Sequence, residues 1–116
     1  MDIKFYNSLT NKVEPFVTQE PNKVSMYVCG PTVYGYPHIG NMRPVVVFDT
    51  LRRFLKYVGY EVTYVSNFTD VDDKIIKSAA QEGKTEKELT DFYIEAFKNA
   101  TKGIGSLLPD ITPRVT

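Results

Sequence analysis

The chain has 116 residues, enough for one ordinary domain with a core of its own. Its 14 basic residues balance 14 acidic ones, so no overall charge marks it for nucleic acid or an anionic membrane. With 42% hydrophobic residues and one cysteine, it is neither a disordered polymer nor an internally disulfide-stapled module.

No apolar run approaches the ~20 residues that span a bilayer, and "MDIKFYNSLT" lacks the charged-then-apolar layout of a secretion signal. These features predict a soluble, cytoplasmic protein with no membrane partner.

In chain order, "IKFYNSLTNKVEPFV" predicts a short hairpin or extended arm. Asn7, Ser8, Thr10 and Asn11 supply its turn chemistry, and Pro15 keeps its second half at an edge. "KVSMYVCG" alternates Val24, Met26 and Val28 with Ser25 and Tyr27, a strand that stops at Gly30-Pro31. A helix follows in "NMRPVVVFDTLRRFLKYVGY", with Val47, Leu51, Phe54 and Val58 predicted on one apolar face. Arg52, Arg53 and Lys56 are expected largely off that face, and Gly59 as the C-terminal cap. Pro44 lacks an N–H and fits best in a first turn, which places the helix start between Gly40 and Arg43.

"YEVTYVSN" is the next strand, and strand, helix and strand together make a βαβ unit with parallel strands. Thr69 or Asp70 is expected to cap a second helix through "KIIKSAAQEG", with Asp72 and Asp73 at its positive end. "TEKE" at 85–88 reads as a capping box for a third helix, carrying Leu89, Phe92, Tyr93, Ala96 and Phe97 on one side. The tail "GIGSLLPDITPRVT" has no period. The whole predicts an α/β fold, the N-terminal half of a Rossmann-like parallel sheet, in one partial domain over 1–116.

The only cysteine and the only histidine fall in one run, "YVCGPTVYGYPHIGN". Its second half joins a strand end to a helix start. Open parallel sheets bind ligands there, and free N–H groups at a helix start attract phosphate. Gly40 leaves room for a ligand against the backbone, while His38 and Asn41 offer donors to a triphosphate. A plain structural imidazole is the competing reading of His38. Cys29 reads on physics alone as a small buried hydrophobe, and a closed zinc site needs three or four ligands. Asp70, Asp72 and Asp73 invite a magnesium reading, but acids in a helix's first turn are ordinary dipole partners. Tyr27, Tyr34 and Tyr36 read as packing. Neither G-x-x-x-x-G-K-[ST] nor G-x-G-x-x-G is present.

Taken together, "YVCGPTVY", "HIGN" and "NFTDVDDKII" in this order closely resemble the N-terminal part of the cysteinyl-tRNA synthetase family, class I aminoacyl-tRNA synthetases of the HUP-type Rossmann-like fold. The resemblance extends from "YNSLTNKVEPF" to "LLPDITPRV". It implies ATP-dependent activation of cysteine, with Mg2+ accompanying ATP, and transfer of the cysteinyl group to tRNA(Cys). "HIGN" matches the family's HIGH motif, with Asn41 in place of the last His. His38 and Asn41 are thereby implied as catalytic, and Pro31, Thr32, His38, Ile39, Gly40 and Asn41 as ATP-binding. Gly30 and Thr69 match positions that touch the substrate cysteine, and Cys29 matches one ligand of the family's Zn2+. Gly35 brings no side chain where many relatives carry Asp or Asn. The second ATP motif, K-M-S-K-S, and the other zinc ligands are not among these residues. The resemblance therefore implies an N-terminal fragment, inactive in isolation. The rival readings are a cysteine ligase acting on an amino-sugar acceptor, a non-catalytic nucleotide-binding paralogue, and a folding fragment with no role of its own.

Overall fold

The computed structural model describes residues 2–116. Its elements run β1 (Lys4–Asn7), β2 (Lys12–Pro15), β3 (Lys23–Val28), α1 (Ile39–Tyr57), β4 (Glu61–Ser66), α2 (Asp73–Glu82) and α3 (Glu86–Gly103). The expected hairpin is present: β1 and β2 pair antiparallel, with Lys4 opposite Pro15. Asn7 Oδ1 accepts from the Leu9 N–H, and Asn11 takes a positive φ of 55°, which short polar side chains tolerate.

β3 and β4 pair in parallel over six residues each, with α1 as the connection, so the βαβ unit is as read from the sequence. Val62 and Tyr64 of β4 are buried, two apart as one face of a strand requires. Val24, Leu55 and Val62 form one core cluster, against which Phe16 and Tyr60 pack. The Phe16 ring meets Phe5 and Tyr60 edge to face, and this ties the hairpin to the sheet.

A second cluster lies past the carboxyl ends of the strands. Val33 and Phe68 there pack against Ile75 and Ala79 of α2 and Leu89 and Ile94 of α3. Thr85 caps α3 as expected, accepting from the Glu88 N–H. Phe92 is half exposed, and Ile94 takes the place expected for it in the core. α2 is capped by Asp72, not by Thr69 or Asp70, and ends at Gly83 with a left-handed φ of 65°. Asp70 is instead buried, where its carboxylate accepts from the Thr116 amide and hydroxyl.

α1 departs most from expectation. It begins at Ile39, so Pro44 lies in the second turn, where it cannot donate to the Gly40 carbonyl four residues back. Its buried residues are Asp49, Arg52 and Leu55, while Val46, Val47 and Phe54 stay exposed. Arg52 is buried because partners await it: Nη1 donates to the Leu108 carbonyl at 2.8 Å and Nη2 to Asp110 at 3.1 Å. The guanidinium also lies 5.3 Å from the Tyr64 ring centre. Asp49 accepts from the Leu107 N–H at 3.0 Å and from Arg53 at 2.9 Å. Arg52, expected off the apolar face, and Asp49 thus grip the tail.

The tail itself runs alongside β4. Ser66 N–H donates to the Ile111 carbonyl and Phe68 N–H to Pro113, while Val115 N–H donates back to Phe68. Bridges Val65–Ile111 and Phe68–Arg114 are both parallel. These residues form a broken third strand on the outer side of β4.

Candidate functional site

The sequence of β3, α1 and β4 brings two strand ends and one helix start together, and a cleft of about 190 Å3 opens between them. Cys29, Gly30 and Pro31 line it from the β3 end, Gly40 and Asn41 from the first turn of α1, and Ser66 from the β4 end. It lies outside the carboxyl ends of parallel strands, where α/β sheets take ligands. A smaller recess of about 80 Å3 adjoins it, lined by Thr32, Gly35 and His38, and shares Pro31 and Asn41 with it.

His38 is the N-cap of α1. Its Nδ1 accepts from the Gly40 N–H at 3.0 Å, while its own N–H donates to Asn41 Oδ1 at 2.9 Å. The two residues thus form a reciprocal capping box, in the places Ser or Thr and Glu usually take. An accepting Nδ1 puts the neutral ring's proton on Nε2. Nε2–H of His38 and the amide NH2 of Asn41 are the donors left over from the cap. No acidic residue stands in the first turn of α1 to oppose an anion. A Cβ at Gly40 would come within 2.8 Å of the His38 ring, so the missing side chain also makes room for the imidazole.

Cys29 is exposed, not a buried hydrophobe. Gly30 is required by sterics, because a Cβ would fall 1.6 Å from the Asn67 carbonyl oxygen. Thr69 is bound to the loop through its main chain, accepting from Val33 N–H at 3.1 Å and donating to Pro31 at 3.0 Å. It lies behind Pro31 and does not line the larger cleft. Ile39 is 90% exposed and lines neither space.

The tyrosines are not interior packing. Tyr27, Tyr34 and Tyr36 are all exposed, although Tyr36 meets Phe92 and Tyr93 edge to face. Among the described residues no group of three His, Cys, Asp or Glu side chains stands close enough to hold a metal ion. Cys29 by itself offers one soft donor, fewer than the three or four protein ligands of a zinc site. Asp72 is committed to its cap and Asp70 to Thr116. Among the described residues, no helix is long and apolar enough to cross a membrane.

Sequence reasoning missed Asn67. Its Oδ1 accepts from the Gly30 N–H at 2.7 Å, joining the two strand ends. The one available signal was a polar residue directly after a buried strand.

A parallel βαβ unit with a cleft at its carboxyl edge, flanked by an imidazole and an amide, is half of a Rossmann-like sheet. Residues 15–116 match the family described as the tRNA synthetases class I (C) catalytic domain, and the chain belongs to it. It is 60% identical to a cysteine–tRNA ligase of Brevibacillus brevis over 99% of its own length and 25% of that relative. Cysteine–tRNA ligases of Anoxybacillus flavithermus and an Exiguobacterium species are 56% and 60% identical, over 100% and 98% of the chain. The chain spans about a quarter of the length of the curated relatives it matches.

Proposed function

We propose that residues 1–116 form the N-terminal part of the Rossmann-like catalytic domain of a cysteine–tRNA ligase, acting on ATP, cysteine and tRNA(Cys). The observation that carries this reading is the shared cleft. Cys29 and Gly30 meet Asn41 across the two strand ends, with His38 in the adjoining recess.

In the proposed reaction, an oxygen of the cysteine carboxylate attacks the α-phosphorus of ATP. A C–O–P anhydride forms, the bond to the β-phosphate oxygen breaks, and pyrophosphate leaves. The carboxylate is already ionised at neutral pH, so no protein base is needed. The requirement is positioning and relief of the charge that builds on the α-phosphate. His38 Nε2–H and the Asn41 amide donate to phosphate oxygens, with Pro31, Thr32, Ile39 and Gly40 shaping the loop around ATP. Mg2+ would accompany ATP. A hydroxyl of the terminal ribose of tRNA then attacks the acyl carbon: the ester bond forms, the acyl C–O bond to the phosphate breaks, AMP leaves, and the hydroxyl proton passes to the leaving phosphate or to water.

Cys29 would be one ligand of a zinc ion, which when bound favours a thiolate over serine's hydroxyl. Gly30 and Thr69 would hold the rest of the substrate cysteine. Neither rival, the amino-sugar ligase or the non-catalytic paralogue, has a specific observation in its favour.

The test is cysteine-dependent ATP–pyrophosphate exchange by an enzyme-length chimera, in which these residues replace the matching quarter of the Brevibacillus brevis relative. Exchange with cysteine, weak exchange with serine, and charging of tRNA(Cys) are expected. Failure to charge tRNA(Cys), with an amino-sugar amine accepted instead, would overturn the reading in favour of the first rival.

A further inference from the structure

Asn67 meets Gly30 in two ways and Thr69 in a third. Its Oδ1 accepts the Gly30 N–H at 2.7 Å. Its main-chain oxygen fills the place of a Gly30 Cβ. Its Nδ2 faces Thr69 Oγ1 at 3.5 Å, long for a hydrogen bond but toward that oxygen. The amide of residue 30 belongs to the peptide plane that also contains the Cys29 carbonyl. The preceding residue, Val28, is held in the β3–β4 ladder; with the following plane also fixed through the Gly30 N–H, χ1 is the main freedom left to the Cys29 sulfur. The same side chain stands between Cys29-Gly30, at the end of β3, and Thr69, just beyond β4. No other side chain–backbone hydrogen bond among the described residues joins these two strand ends.

We infer that Asn67 is a positioning residue for cysteine recognition, setting the Cys29 sulfur and the Thr69 hydroxyl at a fixed separation through Gly30. The inference rests on the proposed assignment of Gly30, Thr69 and Cys29. Asn67 acts on the amino-acid side of the site only. His38 and Asn41 hold each other and do not depend on it.

Two measurements test it. In the 116-residue chain, amide exchange of Gly30 should be slow in the parent and in Asn67→Asp, which keeps an acceptor oxygen, and fast in Asn67→Ala. In the enzyme-length chimera, pyrophosphate-exchange kinetics should show KM for cysteine raised about 10–100-fold by Asn67→Ala, the range for residues that support a metal ligand. KM for ATP should stay within about threefold of the parent, and Asn67→Asp should restore most of the cysteine affinity. A general loss of folding would move both KM values and the melting temperature together, and that result would overturn the inference. So would an unchanged cysteine KM beside a released Gly30 amide. Absence of exchange in the unmutated chimera would instead strike the proposed function itself.

Discussion

Arg52 and Asp110 are bound across 58 residues of chain, Nη2 to Oδ1 at 3.1 Å, with the guanidinium almost wholly buried and the carboxylate half exposed. The other oxygen of Asp110 accepts from the Tyr64 N–H at 2.8 Å. One carboxylate therefore joins α1, β4 and the tail. Arg52 Nε is buried without a hydrogen-bond partner among the described residues, so the guanidinium depends on the contacts it has.

Removing Asp110 should leave a buried cation held by one carbonyl. Breaking a fully buried pair costs about 3–5 kcal/mol. Half exposure of Asp110 reduces this, and about 2–3 kcal/mol is expected for Asp110→Ala. Urea unfolding should show a lower midpoint with an unchanged slope. A midpoint equal to the parent's would show that the pair contributes nothing.

His38 has separable duties. His38→Ala removes a cap, worth about 1 kcal/mol, and also the Nε2 donor. Loss of one such donor slows activation about 10²–10³-fold. His38→Asn restores a good cap but not the reach of the ring. It should melt like the parent while the chimera stays as slow as with His38→Ala. Recovery of exchange by His38→Asn would mean that the cap, not the donor, is what matters.

Gly30→Ala places a Cβ inside the Asn67 carbonyl. The strand ends would have to separate, so a loss at or above the ~1–3 kcal/mol of ordinary overpacking is expected. Gly35→Ala meets nothing within 4 Å and serves as the matched control. Calorimetric melting of both variants decides the point, and equal melting temperatures would refute it.

Acid stability follows from Asp70. Burial raises its pKa, but the Thr116 hydroxyl and amide, with Arg114 nearby, outweigh burial and hold the carboxyl below its usual range. A native value below the unfolded one means stability is fully present above about pH 4 and is lost as pH falls through the native value. Asp91, through Lys87 and then Arg114, and Glu14, through Thr10 and then Asn7, are lowered in the same sense. Asp70→Asn should lower the urea midpoint at pH 7 and flatten its fall below pH 4. An equally steep acid limb in the variant would assign the effect to other carboxylates.

The strands, the crossover, the Thr85 cap and the end of α2 near Gly83 were legible because period and cap chemistry are local. The face of α1 was not. Arg52 is expected off the apolar face and Asp49 carries no expectation, because their partners Leu107, Leu108 and Asp110 lie more than fifty residues away. The third strand was hidden for a related reason. Pro109 and Pro113 interrupt its alternation, and its pairing is main chain to main chain with β4. The HIGN loop was visible as a site, but its self-capping was not, since imidazole is an unusual cap. Asn67 needed the fold, because only the parallel pairing sets it beside Gly30.

β3 is hydrogen-bonded in a ladder on one side only, to β4, among the described residues. Its outer rim offers main-chain donors and acceptors to whatever extended peptide arrives first, and only Lys23 brings a charge to discourage it. Kept by itself at high concentration, the 116-residue polypeptide should begin to aggregate along this rim, and a lysine written into Ser25 is the simplest way to keep preparations clear.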